Sequence, residues 1–150
     1  MSPVPTKKPK EYVVGFLFGA DSYRVALVEK KRPAWQAGRL NGIGGKIEPH
    51  EEPLAAMTRE FEEETGAHLT GWRQFLVLSG TDWRVYFFTR QYEPGDMKPL
   101  QTTTDEKIGW YKVDDVLRSA KPLPNLRWLL PLALDDDRPC GWLTNAKENP

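Results

Sequence analysis

The sequence predicts an α/β fold: a sandwich with a mixed sheet at its centre and helices on its faces. Three observations support it. Short runs rich in Val, Phe and Leu recur along the chain, helical periodicities lie among them rather than in a separate block, and no repeat or low-complexity tract interrupts the order. At 150 residues the chain fits one domain.

The elements follow in order. Ser2 to Lys10 holds three prolines and three lysines without apolar periodicity. That composition is expected of a disordered tail over residues 1–10 more than of a basic docking arm, with the domain running over residues 11–150. Tyr12–Phe18 and Arg24–Glu29 read as strands joined by a turn at Gly19–Ser22. Lys30–Ile47 reads as a loop-rich stretch around Pro33, Gly38, Gly42, Gly44 and Gly45, with a short strand near Leu40. Over Pro53–Thr65, Leu54, Met57 and Phe61 recur at helical spacing. Pro53 suits the first turn and Gly66 a left-handed cap. Phe75–Leu78, Trp83–Thr89 and Lys107–Val113 have strand composition, and Asp114–Ala120 and Asn125–Leu134 look helical. The stretch Asp135–Pro150 reads either as an added edge strand or as a partner contact.

Charge narrows the function. Lys plus Arg and Asp plus Glu each total 21, so no net field recruits polyanions, and a nucleic-acid polymer is not the expected partner. A lone Cys140, no apolar leader and no long apolar span lead to the expectation of a reduced, cytoplasmic protein that does not enter membranes.

The informative acids lie on the Pro53–Thr65 helix. At about 100° per residue, Glu60, Glu63 and Glu64 fall within a sector roughly 100° wide, beside the apolar face. Like charges at these spacings cost a few tenths of a kcal/mol per pair in an isolated helix. A solvated acidic face is the ordinary reading of any Glu-rich run, but here the flanks add to it. Gly44 and Gly45 permit close backbone approach, so that a carbonyl can join the carboxylates, and Arg59 is placed to hold Glu51. Magnesium, which prefers carboxylate oxygen and is commonly completed by substrate phosphates, suits such a patch, with manganese as a substitute.

Gly45, five residues, Glu51, seven residues, then Arg59, Glu60, Phe61, one residue, Glu63, Glu64, one residue and Gly66 resembles the Nudix box at every fixed position. Seven such coincidences arise by chance on the order of once in 10⁸ windows. The resemblance implies a Nudix-type α/β/α sandwich. It further implies that Gly45, Glu60, Glu63 and Glu64 hold magnesium, and that water is activated to attack a diphosphate linkage. The general base would be Glu60, Glu63 or a glutamate outside the box, for which Glu106 is the candidate. Arg59 and Glu51 complete the catalytic group.

The run Gly38–Lys46 is similar to that of the oxidised-purine nucleoside triphosphatases, the MutT-like branch, and Asn41 matches the asparagine that bonds the base there. Lys31, Trp35, Lys46 and Asn125 are further candidates for substrate binding. Where those enzymes carry two neighbouring aspartates, this chain has Asn125 and Leu126, and Leu123 stands in place of a tryptophan. Among six tryptophans, mostly expected in the core, Trp35 is the one expected to stack on a substrate.

The function expected from these residues is hydrolysis of a nucleoside triphosphate, with oxidised forms such as 8-oxo-dGTP included, to a monophosphate and pyrophosphate. The alternatives are a pyrophosphatase of ADP-ribose or another nucleoside diphosphate derivative, and a non-catalytic nucleotide-binding protein of the same fold. The expected partner is a small nucleotide, and the chain is expected to be a monomer or a homodimer.

Overall fold

The computed structural model describes residues 8–93, 95, 100–135 and, for the backbone, 141–143. The elements are β1 (Lys10–Phe18), β2 (Arg24–Glu29), a single 3₁₀ turn (Ala34–Gln36), β3 (Leu40–Asn41), β4 (Ile43–Lys46), α1 (Pro53–Thr65), β5 (Arg73–Ser79), β6 (Trp83–Gln91), β7 (Ile108–Lys112), α2 (Val113–Arg118), α3 (Leu126–Leu134) and β8 (Gly141–Leu143). Lys10 already belongs to β1, where it pairs with Trp83, and residues 1–7 of the expected tail lie outside the described residues. No helix among the described residues is long and apolar enough to cross a membrane.

The strands form one eight-stranded mixed sheet in the order β3-β2-β1-β6-β5-β8, with β4 on β1 and β7 on β2. β1 runs parallel to β6 along its whole length, so β2 and β4 must share its other edge. β7 likewise occupies one edge of β2, leaving the other to β1 and β3. The hairpin β1–β2 is therefore paired only near its turn, at Leu17↔Ala26 and Phe18↔Val25, and splays open beyond it. Leu40–Lys46 fills the fork, pairing first with β2 and then with β1.

Glycine makes the fork possible. A Cβ on Gly44 would stand 1.9 Å from the Val13 carbonyl oxygen, and one on Gly42 would stand 2.6 Å from Val14 Cγ1. Composition predicts a loop-rich stretch with one short strand here. The structure has two strands, because glycines that look like loop residues are what let β4 lie against β1. Gly44→Ala is expected to cost about 3 kcal/mol by forcing β4 off β1, read as a lowered urea midpoint.

The sheet buries both faces. On β1, Val13 and Leu17 join Met57 and Phe61 of α1 in one core, with Phe61 stacked at a tilt on Trp72 at 5.1 Å. Phe16 and Phe18 face the opposite way and pack with Leu126, Leu129 and Leu130 of α3. Burying each such side chain contributes roughly 1.5–3 kcal/mol. This is the expected α/β sandwich, with α1 on one face and α2 and α3 on the other. At the end of the chain β8 adds a parallel edge strand to β5.

Candidate active site

The site is built where the fork meets α1. Pro53 opens the helix, and Gly66 ends it at φ 78° with its N–H on the Glu62 carbonyl, as the sequence predicts. The helix has no acid in its first turn and no base in its last, while Glu60, Glu63 and Glu64 crowd the C-terminal end. The helix dipole disfavours negative charge there by about 0.3–1 kcal/mol per group. The fold must offset this charge, and the first offset is Arg59.

Arg59 Nε and Nη2 grip the two oxygens of Glu51 at 2.7 and 2.8 Å, and Nη2 also reaches the Lys46 carbonyl at 3.1 Å. Nη1 donates to Glu60 at 2.8 Å and to Glu63 at 3.2 Å. Hydrogen bonding to Arg59 lowers the pKa of Glu51, against the effect of burial. For Glu60 burial is the larger influence, and its pKa is raised despite Arg59. The Glu60 carboxylate lies directly over Gly45, where an added Cβ would come within 2.5 Å of it. Gly45→Ala would displace Glu60 and is expected to cut turnover at least tenfold, checked by steady-state kinetics.

Glu64 is the strained member. Its Oε2 is buried without a hydrogen-bond partner. Burial, reinforced by Glu60, Glu106 and Glu63, pushes its pKa up to about 8, and Lys30 opposes the rise.

Glu106 arrives from the other side, buried at 6 % exposure just before β7. Its Oε1 takes the Lys30 ammonium at 3.0 Å, and its Oε2 takes the Lys31 and Arg32 amides at 2.6 and 3.3 Å. Burial would raise its pKa, but these donors outweigh it and the net shift is downward. Sequence reasoning singled out Lys31, which is exposed and contributes its backbone, and passed over Lys30. Strand alternation was the missed signal, since the parity that sets Ala26 and Val28 under α1 carries Lys30 to the same face.

Arg59 thus gathers Glu51, Glu60 and Glu63, and Lys30 links Glu106 to the field around Glu64. Of the substrate candidates, Lys46 and Lys31 touch this group through their backbone, at the Arg59 guanidinium and the Glu106 carboxylate. Lys46 is exposed at the end of β4, and Trp35 is 63 % exposed on the 3₁₀ turn. Asn41 Oδ1 accepts the Gly42 amide at 2.8 Å, which leaves its NH₂ as a donor, 3.5 Å from Gln36 Oε1. Asn125 precedes α3 without capping it through its side chain, and its Oδ1 is buried without a partner. Leu40 N to the Lys121 carbonyl (3.2 Å) and Leu123 N to the Leu40 carbonyl (2.9 Å) lace the strand of Asn41 to the segment leading to Asn125.

Among the described residues no three His, Cys, Asp or Glu side chains form a ready metal-ligating group, and Glu60 and Glu63 are both hydrogen-bonded to Arg59 Nη1. The residues nevertheless fit a hard divalent cation. An orphaned buried carboxylate oxygen on Glu64, a second carboxylate seated on Gly45 and an excess of acid at a helix C-terminus are all relieved by one.

A family model, the NUDIX domain, matches residues 8–130. The chain belongs to the Nudix family. A curated relative, the uncharacterized Nudix hydrolase YvcI of Bacillus subtilis (strain 168), is 26% identical over 102 residues, 62% of this chain, and the match spans 61% of that protein. Among solved Nudix structures, the MutT hydrolase from Burkholderia pseudomallei superposes with a TM-score of 0.70 at 21% identity, covering 84% of this chain and 98% of that one. The Nudix domain of Shewanella oneidensis NrtR, solved with ADP ribose, gives 0.71 at 18% identity, covering 89% and 91%. At these identities the structural likeness establishes the Nudix fold.

Proposed function

We propose that this Nudix chain is a magnesium-dependent hydrolase that cleaves a nucleoside triphosphate to the monophosphate and pyrophosphate, and that oxidised purine forms such as 8-oxo-dGTP are among its substrates. The observation that carries the proposal is Glu64, a carboxylate buried with an unpartnered oxygen among three other acids. Such a group is costly unless a cation completes it.

In this reading Glu60, Glu63, Glu64 and the Gly45 carbonyl hold the ion, with manganese able to replace magnesium. An ion bound there would supply neutralising charge for the diphosphate and a lowered pKa for a water. Arg59 holds Glu60 and Glu63 oriented about its Nη1, and Glu51 keeps Arg59 in register through its two-point grip. Glu106 anchors Lys30 and the backbone of Lys31 and Arg32, and these donors lower its pKa, which makes it a weaker base than Glu60 or Glu64, whose pKa burial raises. Proton acceptance then falls to a carboxylate of α1. Asn41 would offer an amide donor to a base edge, Asn125 would turn its buried, unpaired Oδ1 to the same edge, Trp35 would offer its exposed ring for stacking, and Lys46 and Lys31 would supply cations at the phosphate end.

The test is product analysis by chromatography across canonical and oxidised triphosphates and ADP-ribose. Monophosphate plus pyrophosphate from a triphosphate is expected. Cleavage of ADP-ribose alone would replace this reading with the diphosphate-derivative one, and binding without any turnover would replace it with a non-catalytic role.

A further inference from the structure

The last turn of a helix leaves its final carbonyls without intrahelical partners. In α1 two of those carbonyls belong to Glu63 and Glu64, and one segment satisfies them together with the Thr65 carbonyl. The Gln101 amide donates to the Thr65 carbonyl at 3.0 Å, the Thr103 amide to the Glu64 carbonyl at 3.3 Å, and the Thr103 hydroxyl to the Glu63 carbonyl. Within the next three residues the same segment makes its other attachments. The Glu106 amide donates to Thr104 Oγ1 at 3.2 Å, Asp105 forms a two-point pair with Arg32, and Glu106 takes Lys30 and the amides of Lys31 and Arg32.

We infer that Gln101–Glu106 is a strap that fixes the spacing between the α1 carboxylates and the Lys30–Glu106 pair, with Thr103 as the positioning residue for Glu63 and Glu64. The inference rests on the proposed role of those carboxylates. Thr103 is exposed, and water could hydrate the same carbonyls, so the core does not require its hydroxyl. What the hydroxyl adds is a fixed direction for the end of the helix. Without it the final turn frays, and Glu63 and Glu64 lose their registry with Lys30 and Glu106 while the substrate residues on β3 and the 3₁₀ turn stay in place.

Thr103→Val removes the hydroxyl and keeps shape and amide, whereas Thr103→Ser keeps the hydroxyl. In the full chain, Thr103→Val is expected to lower kcat about tenfold with KM within about twofold. Manganese binding, followed by electron paramagnetic resonance without nucleotide, is expected to weaken roughly fivefold. Thr103→Ser should restore both, at a Tm close to wild type for both variants. Wild-type kcat and manganese affinity in Thr103→Val would overturn the inference, as would equal losses in both variants accompanied by a fall in Tm. If the wild-type chain turns over no nucleotide, the functional reading fails by itself, and manganese affinity still decides the strap. Absence of manganese binding to the wild type would overturn it too.

Discussion

Glu64→Gln is expected to abolish turnover, by about 10³-fold or more, while making the metal-free protein more stable at pH 8. Both effects come from one carboxylate. Its folded pKa of about 8 lies above the 4.5 of an ordinary glutamate. Between those values the folded protein keeps a proton that the unfolded chain has lost, so stability present at acid pH declines as pH rises through about 8. Glu60, also raised by burial, adds to the decline in the same direction. Glutamine removes the Glu64 contribution, and Tm at pH 8 without metal should rise by about 3 °C or more, given roughly 2–4 °C per kcal/mol in a chain of this size. Magnesium should produce a similar rise in the wild type and little in Glu64→Gln. Thermal melts at pH 5 and 8, with magnesium or chelator, test this. A substitution that lowers Tm at pH 8 would contradict the buried-charge explanation.

Arg59→Met is expected to have the opposite effect on stability and the same effect on activity. Arg59 is the shared partner of Glu51 and Glu60, whose side chains are only 15% and 14% exposed. Methionine fills comparable space and leaves those carboxylates facing one another without their cation. For well-buried pairs the loss of one partner costs about 3–5 kcal/mol. With the guanidinium side chain 24% exposed, a loss of about 2–3 kcal/mol is expected here, read from urea unfolding. Arg59→Lys should recover only part of it, because an ammonium cannot reproduce the two-point grip on Glu51. Replacing Glu51 by Gln in the Arg59→Met background should then cost little further, since the carboxylate has lost its partner already.

α1 was legible in the sequence because its signals agree: apolar spacing, a proline at the first turn, a glycine in the left-handed cap and the filled box all specify one helix. The strands were legible as composition but not as pairings. β4 was hidden because Gly44 and Gly45, which resemble loop residues, are selected by the closeness of β1 and of the Glu60 carboxylate. Lys30 was missed for a similar reason. It follows Glu29 and precedes Lys31 in a polar run, and only the packing of β2 under α1 distinguishes it from its neighbours. Thr103 carried no signal at all, since a hydroxyl that caps a helix end 40 residues earlier leaves no periodicity to read. Glu106 was legible as an acid after an aspartate, whereas its capture by Lys30 and two amides depended on the fold.

The most direct measurement is the initial rate of pyrophosphate release from a nucleoside triphosphate as magnesium is titrated into chelator-treated protein. The α1 patch as a cation site predicts no product in chelator, a saturating rise with magnesium, and a flat line for Glu63→Gln. A rate that persists in chelator, or that Glu63→Gln leaves unchanged, would contradict it.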